Sequence, residues 1–270
     1  MTSTTSTVLT IDVGNTRTKI SVMQLAENNG SLPDCLQSVA FAHSDGIDWS
    51  VVEQWAADAG TSWDVGIAGS QPQRIAQILA SWPSFLNTSP KPISKGTQLP
   101  ISNCVEHPEK VGLDRLLNGV AVNQFRSANK PAIVVDSGTA TTVDALDSNG
   151  CFLGGAILPG YELAAKALNQ YTELLPLIAS TDLKQQPTPI IGRNTTQALQ
   201  SGISWGFIGG VKQVVERMQE ELTDEPLIVL TGGNAYLLKP HLPEETLWLP
   251  QLSSQGLAIA TICKQQTEIT

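Results

Sequence analysis

The sequence predicts an α/β fold built twice, and three observations predict it. An apolar run ends in Asp12-Val13-Gly14-Asn15-Thr16 and resumes as a second apolar run, which reads as strand, turn, strand. The same pattern returns at Asp136-Ser137-Gly138-Thr139-Ala140-Thr141-Thr142, an internal repeat of one supersecondary unit. Between the two, Asn129-Lys130-Pro131 breaks the chain, which sets an N-terminal domain over 1–130 and a C-terminal domain over 131–270.

The first seven residues are polar and read as a loose tail, and Asn28-Asn29-Gly30 reads as a turn. Residues 47–59 and 71–82 carry helical patterns on either side of a strand at 65–69, and the prolines of 83–108 predict a loop-rich stretch. A helix opens near Asp114, with Leu117, Ala121 and Phe125 at four-residue spacing. In the second half, a strand follows the turn Asp147-Ser148-Asn149-Gly150 and a helix follows Pro159-Gly160. A long helix covers about 195–222, a strand at 227–230 ends in Thr231-Gly232-Gly233-Asn234-Ala235, and a final helix covers 256–264.

At 270 residues and 41% hydrophobic content, the chain can bury a substantial core, as two modest domains or a single large one. Its net charge of −9, with no Lys/Arg cluster, argues against a nucleic-acid surface. An acidic protein that binds phosphates needs backbone amides, helix N-termini or a bound cation. The cysteines, Cys35, Cys104, Cys151 and Cys263, stand far apart without C-x-x-C spacing and read as separate reduced thiols. No run reaches the ~20 apolar residues of a membrane span, so the expected setting is the cytoplasm.

Each Asp-x-Gly hairpin has an ordinary reading as a common turn. Its chemical reading is more specific. Glycine lets the backbone amides approach a phosphate, Thr and Asn add neutral donors, and an Asp at the strand end can hold a hydrated Mg²⁺ against phosphate oxygens. Neither hairpin is a Walker A loop. Two such hairpins with a later strand-Gly-Gly turn make a nucleotide clamp.

These segments resemble the acetate and sugar kinase and actin superfamily: its two phosphate hairpins at Asp12 and Asp136, and its adenosine motif at Leu230-Thr231-Gly232-Gly233-Asn234-Ala235. Three further segments narrow the resemblance, namely Val111-Gly112-Leu113-Asp114-Arg115, Gly154-Gly155-Ala156-Ile157-Leu158-Pro159-Gly160 and Ile191-Gly192-Arg193-Asn194-Thr195. In this order they resemble the type III pantothenate kinases over about residues 8–260. The resemblance implies a ribonuclease-H-like (actin-like) two-domain fold with mixed five-stranded sheets. It also implies ATP-dependent phosphorylation of pantothenate in a homodimer, with Mg²⁺ and a monovalent cation, K⁺ or NH₄⁺.

By the same resemblance, Asp12, Val13, Gly14, Asn15, Thr16, Arg17, Thr18, Lys19 and Thr139 bind ATP. Asp12 holds Mg²⁺ through water and Asp136 the monovalent cation, while Asn15 reaches a partner subunit's acceptor site. Gly112, Leu113, Asp114, Arg115 and Thr195 contact pantothenate, with Asp114 as the base. Asp114 and Thr195 also read as helix N-caps, and Arg115 as a surface charge on a first helical turn. Val105-Glu106-His107-Pro108 departs from the Tyr-x-Asn-Pro of many relatives, so an aromatic wall would have to come from Tyr161 or Tyr171. The rivals are another small-molecule kinase, a non-catalytic nucleotide-binding regulator, and an ATPase or polyphosphate phosphatase, all of the same superfamily.

Overall fold

The computed structural model describes residues 6–25, 30–59, 63–183 and 190–269. Asn28 and Asn29 of the expected turn and residues 1–5 of the N-terminal tail fall outside them. By its contacts the chain divides into two units: Met1–Ala128 with Gly150–Phe152 and Gln251–Thr270, and Asn129–Asn149 with Leu153–Pro250.

In the first unit, β1 (Thr7–Val13), β2 (Arg17–Gln24), β3 (Asp34–Ala42), β4 (Asp64–Gly69) and β5 (Lys91–Pro92) form one sheet in the order β3-β2-β1-β4-β5. β1 runs antiparallel to β2 and parallel to β4. It is buried almost throughout, Thr10 included, because a central strand is covered on both faces. Helices α1 (Trp49–Ala59) and α2 (Pro72–Ala80) flank β4, and α2 starts with Pro72, whose fixed φ suits a first helical turn. The core joins Leu9, Ile11, Ile20, Val52, Val65 and Ile67. Residues 83–108 are loop-rich as expected, and α3 (Leu113–Phe125) follows them.

The second unit repeats the connection. β6 (Ala132–Ser137), β7 (Ala140–Leu146), β8 (Phe152–Pro159), β9 (Leu227–Thr231) and β10 (Leu247–Trp248) lie in the order β10-β9-β6-β7-β8. β6 pairs antiparallel with β7 and parallel with β9, as β1 does with β2 and β4. Helices α4 (Tyr161–Gln170), α5 (Ser180–Leu183) and α6 (Thr195–Glu221) stand between β8 and β9, and the short α7 (Ala235–Leu238) follows β9. Ile133, Val135, Tyr161, Phe207, Val211 and Leu230 anchor this core.

Two expectations are corrected. The division at 130/131 assigned the final helix to the second domain, but α8 (Leu252–Ile269) belongs to the first unit. Ala258 packs with Val8 and Met23 of β1 and β2, and Ser253 donates to Asn118 Oδ1 of α3 at 3.0 Å. The apolar face of β1 and β2 needs this cover. The reading of four separate thiols also fails, because Cys104 and Cys151 form a disulfide. Chain pairing at Asn103 and Phe152, invisible in the spacing, brings them together.

Candidate active site

The β1–β2 hairpin carries residues 12–19. Gly14 N donates to Arg17 O at 3.0 Å and closes the turn. Asp12 is half-buried at the strand end, and Lys19 stands directly across from it in register. Asn15 Oδ1 accepts from Gln71 Nε2 at 3.0 Å and Ser70 Oγ at 3.3 Å, while Ser70 N donates to Val13 O at 3.0 Å. These bonds fasten the hairpin tip to the start of α2. Thr16 and Arg17 are exposed. Val13 and Thr18 are buried, and the Thr18 hydroxyl lies 3.4 Å from His43 Nε2, so their side chains serve the fold.

The same unit holds residues 112–115. Gly112, not Asp114, is the N-cap of α3, which corrects the capping expectation. Asp114 lies within the first turn, where its Oδ1 accepts from Arg115 N at 2.9 Å. A Cβ at Gly112 would stand 2.5 Å from Asp114 Oδ1, so glycine makes the room this carboxylate occupies. Arg115 is half-buried, with its guanidinium carbon 5.3 Å from the Phe152 ring centroid.

In the second unit, the β6–β7 hairpin closes through Gly138 N donating to Ala140 O at 3.0 Å. The Gly-Gly turn after β9 packs on this hairpin: Asn234 N donates to Ser137 O at 2.9 Å, and Asn234 Nδ2 to Gly138 O at 3.3 Å. Gly232 has φ +92°, and a Cβ there would stand 2.6 Å from Asp136 Oδ1. Only glycine permits that approach. Thr139 is exposed, and its carbonyl accepts from Gly160 N at 3.1 Å. Across from the half-buried Asp136 stands Thr142, whose Oγ1 is buried without a hydrogen-bond partner.

Thr195 is the first residue of α6 and is exposed; the N-cap is Asn194, whose side chain accepts from Gln197 N at 2.9 Å. That leaves the Thr195 hydroxyl outside the cap. The two tyrosines considered for an aromatic wall do not supply one within this unit. Tyr161 is fully buried against Phe207, at 4.4 Å between ring centroids, and Tyr171 is 80% exposed. Burial, then the nearby Tyr236, pushes the Tyr161 hydroxyl up to about 12.

Sequence reasoning missed Phe152, Ser70, Gln71 and Thr142. The Gly69-Ser70-Gln71-Pro72 run, a strand end leading into a helix start, carried a usable signal for two of them.

The family model for type III pantothenate kinase matches residues 8–217. A type III pantothenate kinase of Moorella thermoacetica is 33% identical over 93% of this chain and 97% of its own length. One from Thermomicrobium roseum is 32% identical over 94% of this chain and 96% of its own. Among solved structures, the activator of the 2-hydroxyisocaproyl-CoA dehydratase from Clostridium difficile with bound ADPNP covers 97% of each chain at a TM-score of 0.51 and 15% identity. A glucokinase from an Antarctic psychrotroph covers 97% of this chain and 100% of its own at 0.50 and 10%. At such identities these likenesses speak for the actin-like fold alone.

Proposed function

The chain belongs to the type III pantothenate kinase family, and from that premise we propose which of its residues phosphorylate pantothenate with ATP, the first step of coenzyme A biosynthesis. The observation that carries the assignment is the Asp114 carboxylate, held on the first turn of α3 over the space left by Gly112.

Asp114 accepts the proton of the pantothenate hydroxyl as its oxygen attacks the γ-phosphorus of ATP and the bond to the ADP oxygen breaks. In a loose transition state this group orients the hydroxyl more than it deprotonates it. Arg115 takes the pantothenate carboxylate, a match for the guanidinium fork. Residues 112–113 and Thr195 complete the acceptor contacts, and Asn15 reaches the acceptor of a partner subunit. The hairpin residues 12–19, Val13 and Thr18 through their backbone only, hold the nucleotide with Thr139.

Asp12 suits Mg²⁺ through water, because this ion keeps most of its hydration and asks for one or two carboxylates. When bound, Mg²⁺ neutralises charge on the phosphate oxygens. Asp136 suits K⁺ or NH₄⁺: the orphaned hydroxyl of Thr142 stands across from it and the carbonyl oxygens of the hairpin turn are near in sequence. The active form is a homodimer, a reading supported by exposed Ile157 and Leu163 and by exposed Leu168, which lines a groove of about 400 Å³ between α4 and α6. The reaction is placed in the cytoplasm.

A coupled ADP-release assay with purified protein, Mg-ATP and pantothenate tests the whole. ADP release that depends on pantothenate, faster in K⁺ than in Na⁺, is expected. Release indifferent to pantothenate removes the acceptor; equal rates in both salts remove the cation at Asp136.

A further inference from the structure

The short segment Gly150–Phe152 leaves the second unit and is built into the first. Three separate ties fix it there. Asn123 Nδ2, on α3, donates to Gly150 O at 2.8 Å. Phe152 N donates to Ser102 O, and Cys104 N to Phe152 O, both at 2.9 Å. The Cys104–Cys151 disulfide closes the third side. A core residue does not need this much restraint to stay buried, so what the segment holds in place is informative.

It holds the fully buried ring of Phe152, over which the Arg115 guanidinium lies at 5.3 Å from the centroid. A cation within ~6 Å of a ring face is drawn to the ring quadrupole, more strongly when the pair is partly desolvated. Arg115 sits on the first turn of α3, where the helix dipole disfavours a cation. The ring offsets that and limits the rotamers of a long side chain that would otherwise have to be ordered on binding.

We propose that Phe152 is a positioning residue for Arg115, presenting its guanidinium to the acceptor carboxylate. The proposal rests on the reading of Arg115 as the pantothenate contact. It assigns a role to the 102–104 and 150–152 clamp, which touches no substrate itself.

Steady-state kinetics of the full-length Phe152→Leu variant, with pantothenate and ATP varied separately, test it. KM for pantothenate should rise about 3–10-fold, the loss of one partly buried cation–ring contact. Both kcat and KM for ATP should stay within about twofold. Phe152→Tyr, which keeps the ring, should restore the wild-type KM. In an Arg115→Gln background, Phe152→Leu should add nothing further, because the group it positions is gone. If melting curves show that the leucine variant does not fold, Phe152→Met carries the same expectation at closer volume.

An unchanged pantothenate KM, a parallel rise in both KM values, or effects additive with Arg115→Gln each overturn the proposal. The underlying reading fails differently: the wild type then shows no pantothenate-dependent ADP release, or Arg115→Gln leaves the pantothenate KM untouched.

Discussion

The β1–β2 and β6–β7 hairpins each place an aspartate at the end of a central strand and differ in what faces it. Lys19 stands across from Asp12, Thr142 across from Asp136. The tips are fastened differently too. The first is tied through the Asn15 side chain to the start of α2, the second through backbone carbonyls to Asn234 and Gly160. One scaffold, used twice, has therefore diverged in charge while keeping its backbone. The first copy brings its own cation. The second brings neutral oxygens, the setting in which a free alkali ion can take the place of the lysine.

If the hairpins hold substrate and do no proton transfer, the largest loss should come from outside both. Asp114→Ala should lower kcat by about 10²–10⁴, the range for a positioned general base. A drop of less than tenfold with nucleotide and pantothenate binding intact would return the chemistry to the hairpins. Next in size is a stability effect limited to the first unit. Cys104→Ser, or a dithiol added to the wild type, should cost about 2–4 kcal/mol in denaturation, as expected for opening a cross-link of this loop length. Faster amide exchange should appear at 102–104 and 150–152 and not at 136–142; uniform exchange across both hairpins would contradict a local staple.

The charge comparison has a direct test of its own. Thr142→Lys copies the first hairpin into the second and should bring the K⁺/Na⁺ rate ratio to about 1, with activity kept in Na⁺. A variant that still needs K⁺ would show that Lys19 and the alkali ion are not equivalent. The smallest effect belongs to Tyr161→Phe, whose lost hydroxyl has no partner, so stability near neutral pH should stay within about 0.5 kcal/mol. At high pH the two proteins should part. The folded-state value of about 12 lies above the ordinary 10.0, so this group's stabilisation is complete below pH 10 and is lost as pH rises through about 12. The phenylalanine variant should show a flatter decline in Tm over that window, and an unchanged slope would place the alkaline transition elsewhere.

Much of this architecture could be read from residues alone, because the informative elements are local. Asp-x-Gly between apolar runs marks both hairpins, and the 3.6-residue period of Phe207, Val211 and Val215 marks α6. The elements that escaped reading are those stabilised at a distance. β3 is an edge strand, exposed along most of its length and without alternation; β5 and β10 are only two residues each and exist through their neighbours. In the candidate site, the residue types that carry chemistry were visible. Which ring lies beneath Arg115 was not, since that depends on chain pairing around residues 102–104 and 150–152. The disulfide was misread for the same reason.

The placement of α8 has a consequence for how this protein is made. A ribosome delivers residues 1–128 first, yet the helix that covers Val8 and Met23 begins only at Leu252. The later unit has all of its residues in hand by Pro250, before the earlier one does. Closing the first unit then joins the two ends of the chain, a contact of high sequence separation and correspondingly slow formation. Until it forms, β1 and β2 show an uncovered apolar face, the kind of surface chaperones recognise. In the life of the nascent chain, the first half to emerge is the last to be finished.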